Sequence, residues 1–477
     1  MTDVSQNVRV GWGEVLNKEC ASPLILVCLG IWLHAADALI VATMMPSIVA
    51  EIGGAPYVAW TIALYEIGSI VAGATGAILV LRMGLRRPMT LAALTFAIGC
   101  LMSAASSSMA GFLAGRLLQG LGGGGLSALA FIATTSLFTP RLTARVMAII
   151  SVLWGTSAFL GPLIGGMFVQ HSTWHMGFIF FGAQGLVLAS WISFGIRIPD
   201  AARGRERAPN APIVRLSLLA LGVVLIATAG IDVSFPRTFL LLASGLVVLA
   251  LFLRLDARRP ETRLLPHQPF NIRTPIGAAQ IMNLTMSVAT IGLAAYGPLL
   301  MTVIHGASAL AAGYVLACEA IGWTLAAILL SGAPERHDPF YIFSGMALVA
   351  AGVGAMIFAI PHGPLPLIAL AAALQGGGFG AAWTFVLRRA RRLVAADDLE
   401  RLSGAMSVVG HFGYALGAAL LGIVANAAGF AIGNSVAEAS TVARWIFTAC
   451  LPIALLGLFA AGCFVRPRGP APMAPVD

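Results

Sequence analysis

The feature that most restricts this chain is a train of apolar segments, each about as long as a bilayer is thick. A helix needs about 20 apolar residues to cross the hydrocarbon core. Fourteen stretches approach or exceed that length: residues 23–50, 57–81, 88–108, 111–138, 142–169, 175–196, 214–231, 238–254, 274–303, 308–332, 339–360, 365–387, 402–429 and 443–465. Composition agrees, with 59% hydrophobic and 10% charged residues, where soluble domains carry about a quarter charged. The expected fold class is an all-α integral membrane protein with fourteen transmembrane helices.

Arginine sets the orientation. Arg82, Arg86 and Arg87, then Arg141 and Arg145, then Arg197 to Arg207 lie in alternate connections. The pattern continues with Arg254 to Arg273, Arg336, Arg388 to Arg401, and Arg466 and Arg468. The opposite connections hold only Arg237 and Arg444. Basic residues stay on the cytoplasmic side, so both termini are expected in the cytoplasm, in an inner (plasma) membrane protein. The net charge of +9 comes from these loops and does not point to nucleic acid. The first twenty residues are polar and contain no short apolar run of a cleaved leader.

The chain also repeats itself. An offset of 256 residues carries Leu118-Gln119-Gly120 onto Leu374-Gln375-Gly376, and Gly122 and Gly124 onto Gly378 and Gly380. Without a gap it carries Arg145 onto Arg401, Ser151-Val152 onto Ser407-Val408, Gly161 onto Gly417 and Gly166 onto Gly422. The fourth and fifth helices thus correspond to the twelfth and thirteenth. The expected domains are an arm (1–22), a six-helix bundle (23–196), linkers with two extra helices (197–273), a second bundle (274–465) and a tail (466–477). Parallel halves with a midplane site between them are a transporter architecture.

Four motifs carry chemistry. The fourth helix holds Arg116 followed by Gln119-Gly120. A guanidinium stays charged in a protein and is costly at bilayer depth, so Arg116 should face a partner or a wet cavity. The matching position of the second half is Ala372. The fifth helix reads Gly161-Pro162-Leu-Ile-Gly165-Gly166, after Gly155 and Ser157. Proline kinks a helix and glycines let a neighbour come close. The first helix has Asp37 with Pro46 nine residues on, and His34 one turn back on the same face. A carboxylate at bilayer depth can take up a proton near neutral pH. The loop after the second helix runs Leu79-Val-Leu81-Arg82-Met-Gly84-Leu-Arg86-Arg87.

These motifs together resemble the major facilitator superfamily, and the fourteen-helix count resembles its drug/proton antiporter branch. The resemblance implies a proton-coupling role for Arg116 and Asp37, and export as the meaning of the Gly161–Gly166 motif. It implies a cytoplasmic gate at Arg82, Gly84 and Arg86. Leu81 departs from the family, which has aspartate there, so either another pair replaces that gating contact or the outward-facing state is less favoured. Ala42 also departs, from asparagine.

Two further acids lie in spans: Glu66, near Trp60 and Tyr65, and Glu319, one turn before Trp323. Either could carry a proton or attract a cation, with the tryptophans adding cation–π contact. The expected proton-coupling set is Asp37, Glu66, Arg116, Glu319 and His34. The expected substrate-facing set is Gln119, Trp60, Tyr65, Gln280, Asn283, Trp323, Gln375, Trp383, His411 and Tyr414. Small residues on the second helix (Ser69, Gly73, Ala77) and the thirteenth (Gly413, Gly417) are expected to meet across the interface of the halves. Cys20, Cys28, Cys100, Cys318, Cys450 and Cys463 have neither metal-ligand spacing nor a disulfide pattern. No phosphate-binding loop or nucleophile motif appears.

The sequence therefore reads as a non-enzymatic, proton-coupled exporter of a small organic compound, working with protons and the lipid bilayer. No cofactor, metal, ATP or nucleic acid is expected, and a monomer is favoured. A proton-coupled metabolite importer of the same family and a non-transporting receptor or scaffold with this fold are the alternatives.

Overall fold

A computed structural model describes residues 12–196, 212–259, 262–394, 396–430 and 435–466. The linker arginines Arg197 to Arg207, and the tail beyond Arg466, lie outside the described residues, as does the side chain of Arg401. Fourteen long helices account for nearly all the described chain. They are α1 (Lys18–Ile52), α2 (Val58–Met83), α3 (Arg86–Ala104), α4 (Met109–Leu137), α5 (Pro140–His171), α6 (Trp174–Ser190) and α7 (Ile213–Ala229). The second series is α8 (Phe235–Ala257), α9 (Pro275–His305), α10 (Ala309–Leu330), α11 (Asp338–His362), α12 (Leu365–Ala390), α13 (Ala396–Ala427) and α14 (Val436–Val465).

Helix is what a bilayer demands, because each backbone polar group must be satisfied within its own segment. The exposed ends are closed by side chains: Asn17, Ser108, Thr274 and Ser308 each accept a first-turn amide hydrogen. A capping box of Ser435 and Glu438 starts α14 seven residues before the apolar run at 443. Thirteen of these helices are long and apolar enough to cross a membrane. The fourteenth, α7, has 17 residues and rises about 26 Å.

Helices α1–α6 pack together, as do α9–α14, forming two six-helix bundles with α7 and α8 inserted between them in sequence. The repeat offset has a physical cause. A side chain at Gly120 would overlap the carbonyl of Tyr65, and one at Gly376 would overlap that of Glu319. The same glycine thus seats α4 on α2 and α12 on α10.

The bundles meet chiefly where α2 crosses α13 and where α5 crosses α10. The small faces are used differently from expectation. Ser69 bonds to the carbonyl of Gly120 on α4, while Gly413 and Gly417 abut Ser287 and Val288 on α9. They tighten each bundle internally, and it is Gly422 that meets Ala59 of α2. The fifth-helix motif faces two ways: Gly161 and Gly165 lie on Leu39 and Ile40 of α1. Gly155, Gly166 and Pro162 lie on Thr324, Leu310 and Gly313 of α10.

At the end opposite the arginine-rich loops, Asn426 of α13 joins three parts of the chain. Its amide donates to the carbonyls of Pro56 (2.9 Å) and Gly230 (2.8 Å). At the arginine-rich end, Gly84 closes α2 with a φ of +74°, a conformation few other residues adopt. Arg86 donates to Ile192 and Ser193 carbonyls in the last turn after α6. Arg388 pairs with Asp338, and Arg392 with Glu335, both within the second bundle. The stretch after α8, expected as a plain linker, is folded. Asp256 accepts from the amides of Leu264 (2.9 Å) and Leu265 (3.0 Å) and pairs with Arg215 of α7 at 2.7 Å.

Candidate functional site

The charge buried in α4 is fully partnered. Arg116 is 2% exposed. Its Nη1 donates to Asp37 of α1 at 2.5 Å and to the side chain of Gln119. Its Nε donates to the carbonyl of Thr61 at 3.2 Å, and the guanidinium lies 4.4 Å from the centre of the Tyr65 ring. Gln119 in turn donates to Ser103 at 3.0 Å. One cation is thus neutralised by one carboxylate and held by three helices, α1, α2 and α4.

From this clamp a polar chain runs to the other bundle. The Tyr65 hydroxyl and His34 Nδ1 are 2.8 Å apart, with donor and acceptor set by the imidazole tautomer. The His34 ring lies 5.9 Å from the ring of His411 on α13. His411 Nδ1 is 2.6 Å from Glu66 Oε2 on α2, an ion pair across the two bundles when the imidazole is protonated. On the far wall Glu319 of α10 accepts from Gln375 of α12 at 2.7 Å.

Between these walls lie three spaces sharing lining residues. The smallest, about 70 Å³, reaches Arg116, Tyr65 and Glu66. A central one of about 210 Å³ is lined by Glu66, Glu319, Trp323, Phe379, Tyr414 and Thr290, among others. The largest, about 530 Å³, lies toward the arginine-rich end between Trp154, Trp323 and Trp383. The cavity therefore widens toward that end. Aromatic rings form a ladder along it: Trp154 to Trp323 (6.5 Å between centres), Trp323 to Phe379 (5.6 Å) and Phe379 to Trp383 (6.2 Å). The central space has two carboxylates and no basic side chain in its lining.

Glu66, Glu319, Trp323 and Tyr414 thus line the central space, Tyr65 and Arg116 the inner one, and Trp383 the outer one. His34, Asp37 and His411 stand directly behind these walls in the polar chain. Gln119 points away, held by Arg116 and Ser103, and Gln375 is turned to Glu319. Trp60 packs in the hydrophobic core and lines none of the three spaces. Gln280 and Asn283 are buried deeper along α9. Sequence reasoning missed Trp154, Phe379 and Thr290. Trp154, beside Gly155 of the fifth-helix motif, was the one with a signal. Among the described residues no group of three or more His, Cys, Asp or Glu side chains could hold a metal.

Two helical bundles around a central cavity with buried charge define a multi-pass membrane transporter. The chain matches the model of the Major Facilitator Superfamily over residues 27–332. It is 30% identical over 465 residues to a Mycobacterium tuberculosis protein named probable multidrug-efflux transporter, covering 94% of this chain and 95% of that one. Similarity to multidrug resistance protein 3 of Bacillus subtilis is 24% over 405 residues, covering 83% and 78% of the two chains. Among solved structures, a bacterial homologue of the human lysosomal transporter Spinster, inward-facing and unoccupied, superposes with a TM-score of 0.67. That match has 14% identity and covers 94% of this chain and 97% of the other. The chain belongs to the Major Facilitator Superfamily and is a transporter, not an enzyme.

Proposed function

We propose that this protein exports amphipathic organic cations in exchange for protons. The observation that carries the proposal is the central cavity, walled by Glu66 and Glu319, backed by an aromatic ladder and free of basic lining residues. A flat cation gains from carboxylates and from ring faces together. The names of relatives at 30% and 24% identity favour drugs as the cargo.

Coupling follows from the Glu66–His411 pair. With the imidazole protonated, the pair holds one proton beside one carboxylate. A monovalent cation that binds Glu66 takes the place of that charge, so the proton leaves and exchange is electroneutral. Asp37 does not line the cavity; with Arg116 it fixes Tyr65 and His34 behind Glu66. By the positive-inside rule the arginine-rich end is cytoplasmic, with both termini there. The cavity then opens to the cytoplasm of a cell whose inner membrane holds the protein. Rocking of the bundles would present the site to the outside.

Purified protein in liposomes under an imposed pH gradient, with ethidium as the cation, tests this. Dye should move against the protons and stop in Glu66→Gln. Dye moving with the protons would replace antiport by symport. A folded protein that moves no dye in either direction would defeat the efflux reading.

A further inference from the structure

With a cation filling the cavity, the proton it displaces needs a separate way to the arginine-rich end, and α9 carries an unusual row leading there. Gln280, Asn283, Ser287 and Thr290 recur at three- and four-residue steps and so share one face. All four are buried, Gln280 at 0% exposure and Thr290 at 3%. Thr290 lines the central cavity next to Tyr414. From it the row descends ten residues to Gln280, about 15 Å.

The row is polar without being satisfied by protein. Both side-chain atoms of Gln280 lack a protein partner, as does Asn283 Oδ1, while Ser287 and Thr290 face the Tyr414 hydroxyl. Asn283 Nδ2 donates to the carbonyl of Met406 on α13. Buried polar groups do not persist unpaired at bilayer depth. At Gly410 of α13 the gap beside them accepts a methyl group at ordinary contact distance. A side chain at Gly410 of α13 would come no closer than 3.8 Å to Asn283 and 3.9 Å to Ser287, whereas at Gly413 it would collide with Ser287. The helices are therefore closest at Gly413 and stand about a methyl group further apart at Gly410.

From this we infer that α9 and α13 enclose a file of water that carries the coupled proton between the Glu66–His411 pair and the arginine-rich end. The inference rests on the antiport reading. The titratable groups Glu66, His411, Glu319 and Tyr414 stand at its upper end. Neither 280–290 of α9 nor 402–410 of α13 contains an ionisable residue. Protons along this reach therefore move on water held by amide and hydroxyl groups. The substrate does not use this route; it follows the aromatic ladder between α5, α10 and α12.

The test separates two kinds of flux in liposomes: pH-driven ethidium movement, which needs net proton transfer, and ethidium exchange at equal pH, which does not. Gln280→Leu removes the amide without breaking a protein hydrogen bond, and Gly410→Ala narrows the gap without a collision. Each should lower pH-driven flux and substrate-evoked proton release about five- to tenfold, the effect of one hydrogen bond, and leave exchange at the wild-type rate. Gln280→Asn should restore most of the loss. Loss of both fluxes together in protein that melts like wild type, or loss of neither, overturns the inference. Wild type that exchanges dye but shows no pH-driven movement overturns antiport, and this inference with it.

Discussion

The two bundles use one backbone plan for opposite electrostatic ends. Gly120 and Gly376 make the same close approach, and Gln119 and Gln375 occupy the same place one residue before. In the first bundle Arg116 stands a turn away, captures Gln119 and Asp37, and leaves about 70 Å³. In the second, Ala372 stands in its place, Gln375 turns to Glu319, and about 210 Å³ opens. One half holds a closed, neutralised pair behind its cavity acid, Glu66, and the other offers Glu319 with a glutamine in place of that pair. Repeat symmetry fixes where helices touch, and the departures from it decide where charge is spent.

The comparison is broken most severely by removing one member of the closed pair. Arg116→Ala leaves Asp37 buried and unpaired and should cost about 3–5 kcal/mol, read as a large fall in melting temperature in detergent. The double variant Asp37→Asn with Arg116→Met should recover part of that stability but not pH-driven flux. Next come the matched glycines. Gly120→Ala and Gly376→Ala should each destabilise by about 1–3 kcal/mol through overpacking. Gly73→Ala on the same helix as Tyr65 meets nothing within 4 Å and should melt like wild type. Glu319→Gln keeps its bond to Gln375 and should change stability little, while weakening ethidium binding measured by fluorescence titration. The smallest expected effect is at Trp60, outside the cavity. Trp60→Phe loses an indole nitrogen that has no protein partner and should leave dye affinity unchanged.

Much of the fold was legible because a bilayer admits little else. Segment length gave the helices. The offset between Gln119-Gly120 and Gln375-Gly376 gave the two bundles. Arg116 was legible as a charge in need of a partner. The cross-bundle pair was not, since Glu66 and His411 are 345 residues apart and their meeting depends on how α2 crosses α13. The small faces were misread for a related reason. Helices here carry small residues on several faces, and spacing alone does not say which neighbour each face receives. The start of α14 and the folded turn around Asp256 depend on polar caps, which hydropathy does not register.

Asn426 carries a consequence for the balance between conformations. Its one amide group holds the loop before α2, the end of α7 and α13 together at the closed end. If the bundles rock as proposed, opening that end breaks both bonds at once. Two neutral hydrogen bonds are worth about 1–3 kcal/mol in sum, or roughly a 5- to 150-fold bias between inward and outward populations. Both bonds lie far from the proton pair and the aromatic ladder. On the proposed cycle a single side chain would be a set-point for resting occupancy, adjustable without touching what the transporter recognises.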